Sequence, residues 1–506
     1  MRAGMRIRPL VVAALVAALQ ASALGRSSID WTGYGRDPQH TAVSGVPGKR
    51  PLHVRWSTPV DLAPQYVGGD ALLIHYGSPL VTRRNTVVVT VKTSATDGFR
   101  LEGRDGTTGA LVWTAPTDYS LPPHNWTPSV GPVLARGRTL FFPGAGGTIF
   151  RRSRPDRATG TLRRYAFYGA AAYEADPASF DATVKVTTPL TADARGNVYF
   201  GFTTVGSAPL GLVSGVARLD RAGRGTWVSA GDAAGDPTMQ RVPYGCAPAV
   251  TADRSRVYVA VRDGSGTGYL VALDATTLTP LSRVRLHDAK NPSLLAFLSD
   301  DATASPTVGP DGDVYYGVLP ATSNHLRGWM LHFSADLQTT KTPGAFGWDD
   351  TPSIVPASAV ASYAGPSAYL LLTKYNDYAV AGGSGQNRMA ILDPFATMTD
   401  PISGATVMNE VLTVLGPTPD DEFPMNPLAV REWCINTAAV DPLTRSAFVN
   451  SEDGILYRWD LVTGTLADHV VLTPGIGEAY TPTLVGPDGT VYAINNATLF
   501  AVDEGP

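Results

Sequence analysis

No stretch of this chain carries sustained helical periodicity, which excludes a helical bundle and leaves an all-β reading. Nor does a cluster of lysine and arginine interrupt its mildly acidic composition, at a formal charge of −4. Without a basic stripe to replace phosphate counterions, nucleic acid is excluded as a partner. Nucleophile elbow, zinc-ligand spacing and phosphate-binding loop are all absent. The glycine run at 382–385 is followed by no lysine and opens no helix, so it reads as a hairpin tip. The longest apolar run, 10–19, is too short to span a bilayer, and no cysteine follows it to take a lipid. Cysteine itself is nearly missing, with Cys246 and Cys434 alone in 506 residues.

What is present is glycine and proline, 52 and 40 residues against only 17% charged, the composition of many short strands joined by tight turns. The N-terminus carries Arg2, Arg6 and Arg8, then the apolar run, then Ala21-Ser22-Ala23. That order is expected of a secretory signal over 1–23, whose cleavage would shift the formal charge to −7. The expectation is an exported monomer, periplasmic or secreted, with no membrane span after cleavage.

The body of the chain is organised by one repeated phrase. It stands most completely at 481–503, where a short strand, a Pro-Asp-Gly turn at 487–489, a second strand, an Asn-Asn turn and a third strand follow in order. The same phrase recurs at 305–316, 188–199 and 247–258. Units start near Pro79, Pro128, Pro189, Pro248, Pro306, Pro352, Thr437 and Pro482. A meander cannot bury both of its faces alone, so eight such units stack radially; the spacing predicts an eight-bladed β-propeller over 51–506, with seven blades as the alternative. The last unit has only three strands, and 54–60 has no hairpin partner, so the N-terminal strand is expected to complete the last blade and close the ring. Residues 24–50 form an extended, turn-rich lead-in.

Two stretches carry a family resemblance: 101–113, with Asp105-Gly-Thr-Thr-Gly109 before Trp113, and 456–466, with Trp459-Asp-Leu-Val-Thr-Gly464. Both are similar to the repeat of pyrroloquinoline-quinone (PQQ) propellers of the quinoprotein alcohol dehydrogenase type, and the opening at 31–40 resembles the start of exported PQQ-like proteins. The resemblance implies blade-locking tryptophans at Trp113, Trp56 and Trp227. It also brings a choice, because that superfamily holds both quinone- and Ca²⁺-dependent oxidoreductases and non-enzymatic scaffolds. The enzymes carry adjacent cysteines over the quinone and some a Cys-x-x-Cys-His haem motif; neither occurs here, so the resemblance favours a binding or scaffolding protein over an enzyme.

Residues just ahead of the inner strands converge on one channel mouth in this architecture. They are His75 and Tyr76, His124 and Trp126, Lys185, Tyr244, Asp300 and Asp301, Asp349 and Asp350, Glu432 and Trp433, and Glu478 and Tyr480. This ring of carboxylates and aromatics suits a Ca²⁺ or Mg²⁺ ion, a carbohydrate or a cationic ligand; single members could equally cap strand ends and bind water. His75 or His124 as general base, or one carboxylate of an Asp pair, would serve a metal-assisted hydrolase or lyase. The Asp-Gly turns at Asp311 and Asp488 are explained by hairpin geometry instead. Excess loop length at 374–388 and 394–431 adds Tyr375, Asn376 and Asn387 as ligand contacts for a small-molecule or protein partner. Cys246 and Cys434 precede the inner strands of the fourth and seventh units, and either pair across the mouth or stay as separate buried thiols.

Overall fold

A computed structural model describes residues 30–67, 71–72, 74–123, 131–135, 138–300, 304–475 and 479–505. Eight antiparallel sheets make eight blades, seven of four strands and one, the third, of five because Val184–Val186 and Thr191–Ala192 both pair with Val198–Thr204; we number them in chain order: 80–117, 133–166, 184–229, 249–285, 307–344, 353–415, 439–471 and 484–503. Within a blade the strands follow one another from the axis outward. Thr86–Lys92, second in blade 1, is buried at every residue, because neighbouring blades cover both of its faces. The outer Leu111–Thr117 alternates exposed and buried instead. The second unit is displaced from its expected start: its inner strand is Val133–Ala135, after Pro132, and Pro128 lies outside the described residues.

Ring closure is as expected. His53–Pro59 is the outermost strand of blade 8, running antiparallel to Thr498–Asp503 from His53 opposite Asp503 to Pro59 opposite Thr498. In blades 3, 4, 5 and 8 the tyrosine of the repeated phrase then locks the blade to the next. The Tyr199 hydroxyl of blade 3 donates to the Ala275 carbonyl of blade 4, Tyr258 of blade 4 to Ala335 of blade 5, and Tyr492 of blade 8 to Gly106 of blade 1. Tyr315 of blade 5 meets the Tyr369 hydroxyl of blade 6 at 2.7 Å. These rings are buried, so the apolar body supplies packing and the hydroxyl answers an otherwise orphaned carbonyl. Trp56 and Trp113 do the same from outer strands, onto Gly106 and Pro155 of the following blade. Trp227 instead packs edge-on against Phe202 of its own blade.

The lead-in does not lie outside the propeller; it threads the axis. Backbone carbonyls of Trp31, Thr32, Pro38, Gln39, Thr41 and Ala42 accept from the amides of Val81, Leu134, Val250, Val308, Ile354 and Val440 at 2.7–3.0 Å. Those amides belong to the inner strands of blades 1, 2, 4, 5, 6 and 7. The segment therefore circles the axis in the same order as the blades, leaves by Gly48 on Asp441 and Lys49 on Gly489, and enters the outer strand of blade 8. Inner strands of a propeller have no sheet partner towards the axis, and this belt supplies one.

The Pro-Asp-Gly turn is a tight hairpin with Gly489 at φ +84°, a conformation that costs glycine nothing. The following turn falls one residue later than expected, on Asn496 and Ala497, both at positive φ, as a two-residue hairpin twisted to match its strands requires. The two cysteines do not pair. Neither forms a disulfide and both are buried; Cys246 sits beside Tyr316 and Cys434 beside Glu452, with blades 5 and 6 between their inner strands.

Candidate functional site

Loops leading into the inner strands, and hairpins joining second to third strands, share one face of the ring. At its centre, ahead of blade 6, stand Asp349 and Asp350, 3% and 2% exposed. Asp349 has φ +47°, uncommon for a residue with a side chain. Asn436, ahead of blade 7, holds it there by donating Nδ2 to its carbonyl at 3.0 Å and to its carboxylate at 3.2 Å. The buried Lys374 ammonium lies 3.9 Å from the same carboxylate. From below, Tyr34 of the belt sends its hydroxyl to Thr351 at 2.8 Å and to Asn436 Oδ1; burial pushes its phenol well above the ordinary tyrosine range. Asp350 accepts from the Thr373 hydroxyl. Burial raises its carboxyl to about 7, with Lys374 opposing the rise.

Other expected contacts are engaged by the protein itself. His75 packs at a tilt against Tyr480 with ring centroids 4.1 Å apart. Tyr76 donates to Asp61 at 3.0 Å, and Asp61 forms a buried ion pair with Lys92 at 2.8 Å. Lys185 donates to the Ser120 hydroxyl and, at 2.6 Å, to the Asp181 carbonyl. Tyr244 lies beside Arg241, and its amide donates to Asp300, which also binds Arg241 and Arg262 at 2.5 and 2.7 Å. Tyr375 lies under Arg327, whose guanidinium is 4.6 Å from the ring centroid. Asn376 clamps the backbone of Trp433 through both amide atoms, and Asn387 ties Asp377 to Val430. Trp433 is fully buried in the core between blades 6 and 7. His124, Trp126, Asp301 and Glu478 lie outside the described residues.

Alternation along extended backbone separates Trp433 from its neighbours. Glu432 and Cys434 share the other side with Glu452 of the blade 7 hairpin, and one ligand atom from each lies within 4.8 Å of the others. Two carboxylates and a thiol at that spacing could hold a divalent cation. The Cys434 sulfur already contacts Glu452 at 3.4 Å, however, and the Arg431 guanidinium stands 3.3 Å from the same carboxylate. A fixed positive charge opposes a second one there. Arg431 also pairs with Asp420, Asp421 and Glu422, so it acts as the hub on which the 417–431 excursion folds back.

These groups do not fit a quinone held over a cation. The two thiols are in different blades and separately buried, and the central carboxylates are inaccessible and answered by Asn436, Thr373 and Lys374. Sequence reasoning missed Tyr34, Asp61, Arg431 and Glu452. Tyr34 was assigned to a lead-in outside the ring; Asp61 and Glu452 belong to loops that only ring closure and the hairpin bring to the mouth.

No family model matches the chain, and neither does any curated protein. Among solved structures it is similar to the quinohemoprotein alcohol dehydrogenase from Comamonas testosteroni, at 12% identity and TM-score 0.56 over 98% of this chain and 84% of that one. A europium-containing methanol dehydrogenase matches at 12% identity and TM-score 0.52, over 92% and 89%. A quinohemoprotein alcohol dehydrogenase from Pseudomonas putida HK5 matches at 12% and 0.51, over 97% and 78%. At this identity the likeness is one of fold: the chain has the eight-bladed architecture of the quinoprotein alcohol dehydrogenases.

Proposed function

We propose that the chain is an exported binding or scaffolding propeller that engages a protein partner on its mouth face. The observation that carries this reading is a raised rim over blades 5 to 7. His325 contacts Asp377 at 2.5 Å, Asn426 donates to the Ser384 carbonyl at 2.8 Å, and the Val430 amide donates to Gly385, so three loops are tied together. On them Met425 is 93% exposed, the most of any large apolar side chain among the described residues, with Val380, Leu428 and Leu326 also exposed. Large apolar groups displayed on a loop held rigid by Arg431 suit an interaction surface. The Glu432, Cys434 and Glu452 group favours a metal-assisted reaction instead, and the adjoining Arg431 weighs against it. Among the described residues no helix is long and apolar enough to cross a membrane.

The test is affinity capture of partners from the exporting cell's envelope and medium, with the protein against its Met425→Glu, Leu428→Glu variant. Expected is a defined partner retained by the protein, lost from the variant at unchanged Tm, and no dye-linked oxidation of alcohols or sugars. Equal retention by both proteins would remove the rim from the account, and turnover would sink the reading.

A further inference from the structure

The face opposite the mouth carries a feature of different chemistry. Between blades 1 and 2 lies a pocket of about 770 Å³ lined by Arg83, Arg84, Arg138, Arg154 and Arg157, with, among the described residues, only Asp30 and Asp156 in opposition. Five guanidiniums against two carboxylates leave a local excess of three positive charges on a chain whose net charge is negative. Asp30 stands 3.6 Å from Arg83, and Asp156 accepts from the Thr82 hydroxyl. Among the described residues no carboxylate is within ion-pair distance of Arg84, Arg138, Arg154 or Arg157. Like charges gathered this way repel one another and persist only where the scaffold holds them.

That scaffold is built. Arg152 is 5% exposed and has no acidic partner among the described residues; its guanidinium stacks 3.9 Å over the Trp113 ring. Its N–H groups donate to the carbonyls of Ser153, Arg154, Arg157 and Ala158 at 2.8–3.3 Å. Trp113 donates to the Pro155 carbonyl at 2.6 Å. A buried arginine is thus used to fix the backbone of the loop that presents Arg154 and Arg157, and Arg154 is held at φ +55°. Strained backbone fixed by surrounding structure is a mark of preorganised sites.

We propose that this pocket binds a small polyanion bearing two or more phosphate or sulfate groups. Its volume suits a compact ligand rather than a duplex. The planar fork of arginine matches phosphate and sulfate oxygens two at a time, and several forks converging from three loops favour a multivalent oxyanion over a single carboxylate. Because Asp30 begins the belt, a ligand here would tie belt, blade 1 and blade 2 together.

The experiment is titration calorimetry of the mature protein with pyrophosphate and tripolyphosphate. It compares Arg84→Ala, Arg157→Ala with a control of equal charge change on the same face, Arg195→Ala, Arg221→Ala. Expected is saturable binding that weakens as salt is raised, falls at least about tenfold in the pocket variant, and stays within about twofold in the control. All four arginines are exposed, so unliganded Tm should be unchanged in both variants. Flotation with vesicles carrying a phosphoinositide with two ring phosphates assigns the source: retention competed by pyrophosphate indicates a lipid headgroup, and no retention alongside pyrophosphate binding indicates a soluble ligand; either sustains the site. No saturable binding of either polyanion up to about 1 mM, a weak affinity by any measure, or equal loss in both variants, would overturn it.

Discussion

A variant lacking residues 30–49, but keeping the closing strand His53–Pro59, should not give a folded propeller. Six inner-strand amides lose their carbonyl partners at once. A buried donor left unpaired costs about 1–3 kcal/mol, so the lower bound alone is ~6 kcal/mol against a typical total stability of about 5–15 kcal/mol. The buried Trp31, Tyr34, Ala42 and Val43 go with them, which adds apolar surface returned to water. Expected is loss of cooperative thermal unfolding by circular dichroism, and recovery when a 30–49 peptide is added in excess. A cooperative transition within a few degrees of the intact protein would show that the belt is dispensable, and with it the claim that the lead-in closes the axis.

Replacing Asp350 with asparagine should stabilise the protein, and increasingly so as pH rises. The folded carboxyl titrates at about 7 where the ordinary value is 3.8. Between those values the native state holds a proton that the unfolded chain has released, so rising pH favours the unfolded chain. The contribution of Asp350 is therefore fully present below about pH 4 and lost through pH 7. Its size is on the order of 4 kcal/mol from the shift. His40 in the belt works in the opposite sense. It is fully buried, donates Nδ1–H to the Pro306 carbonyl at 2.7 Å, and burial lowers its imidazole to about 4 from 6.5. Its contribution is whole above pH 6.5 and lost as pH falls towards 4. The two windows overlap and offset, so the parent protein shows a shallow pH profile and the substitution exposes the slope. Denaturant unfolding of parent and Asp350→Asn at pH 4, 6 and 8 checks this; a difference that does not grow with pH contradicts it.

The blade count was legible because one phrase recurs with its physics intact: a proline before the inner strand, an Asp-Gly turn that tolerates positive φ at Gly312 and Gly489, and a Val-Tyr pair. The hydroxyl of that tyrosine joins blades, a role visible only when the neighbouring carbonyl is in place. Burial was the least legible property at the mouth. Asp349, Asp350, Asn376 and Asn387 are polar residues on loops, which argues for exposure, yet each is at most 3% exposed because the belt and the long loops of blade 6 cover them. The arginine pocket was missed for a related reason. Five of the eight described residues lining it are arginines, drawn from loops at 83–84, 138 and 154–157, and only the packing of blade 2 against blade 1 makes them one feature.

Thermal unfolding of the purified mature protein with and without Ca²⁺ and PQQ tests the central claim most directly, since a ligand bound only by the folded state must raise the midpoint. With the axis filled by Tyr34, Asn436 and the buried carboxylates, the expected result is no shift from PQQ, alone or with Ca²⁺, at concentrations far above plausible dissociation constants. An upward shift requiring both would place a quinone in the propeller and contradict the reading of this chain as a binding module.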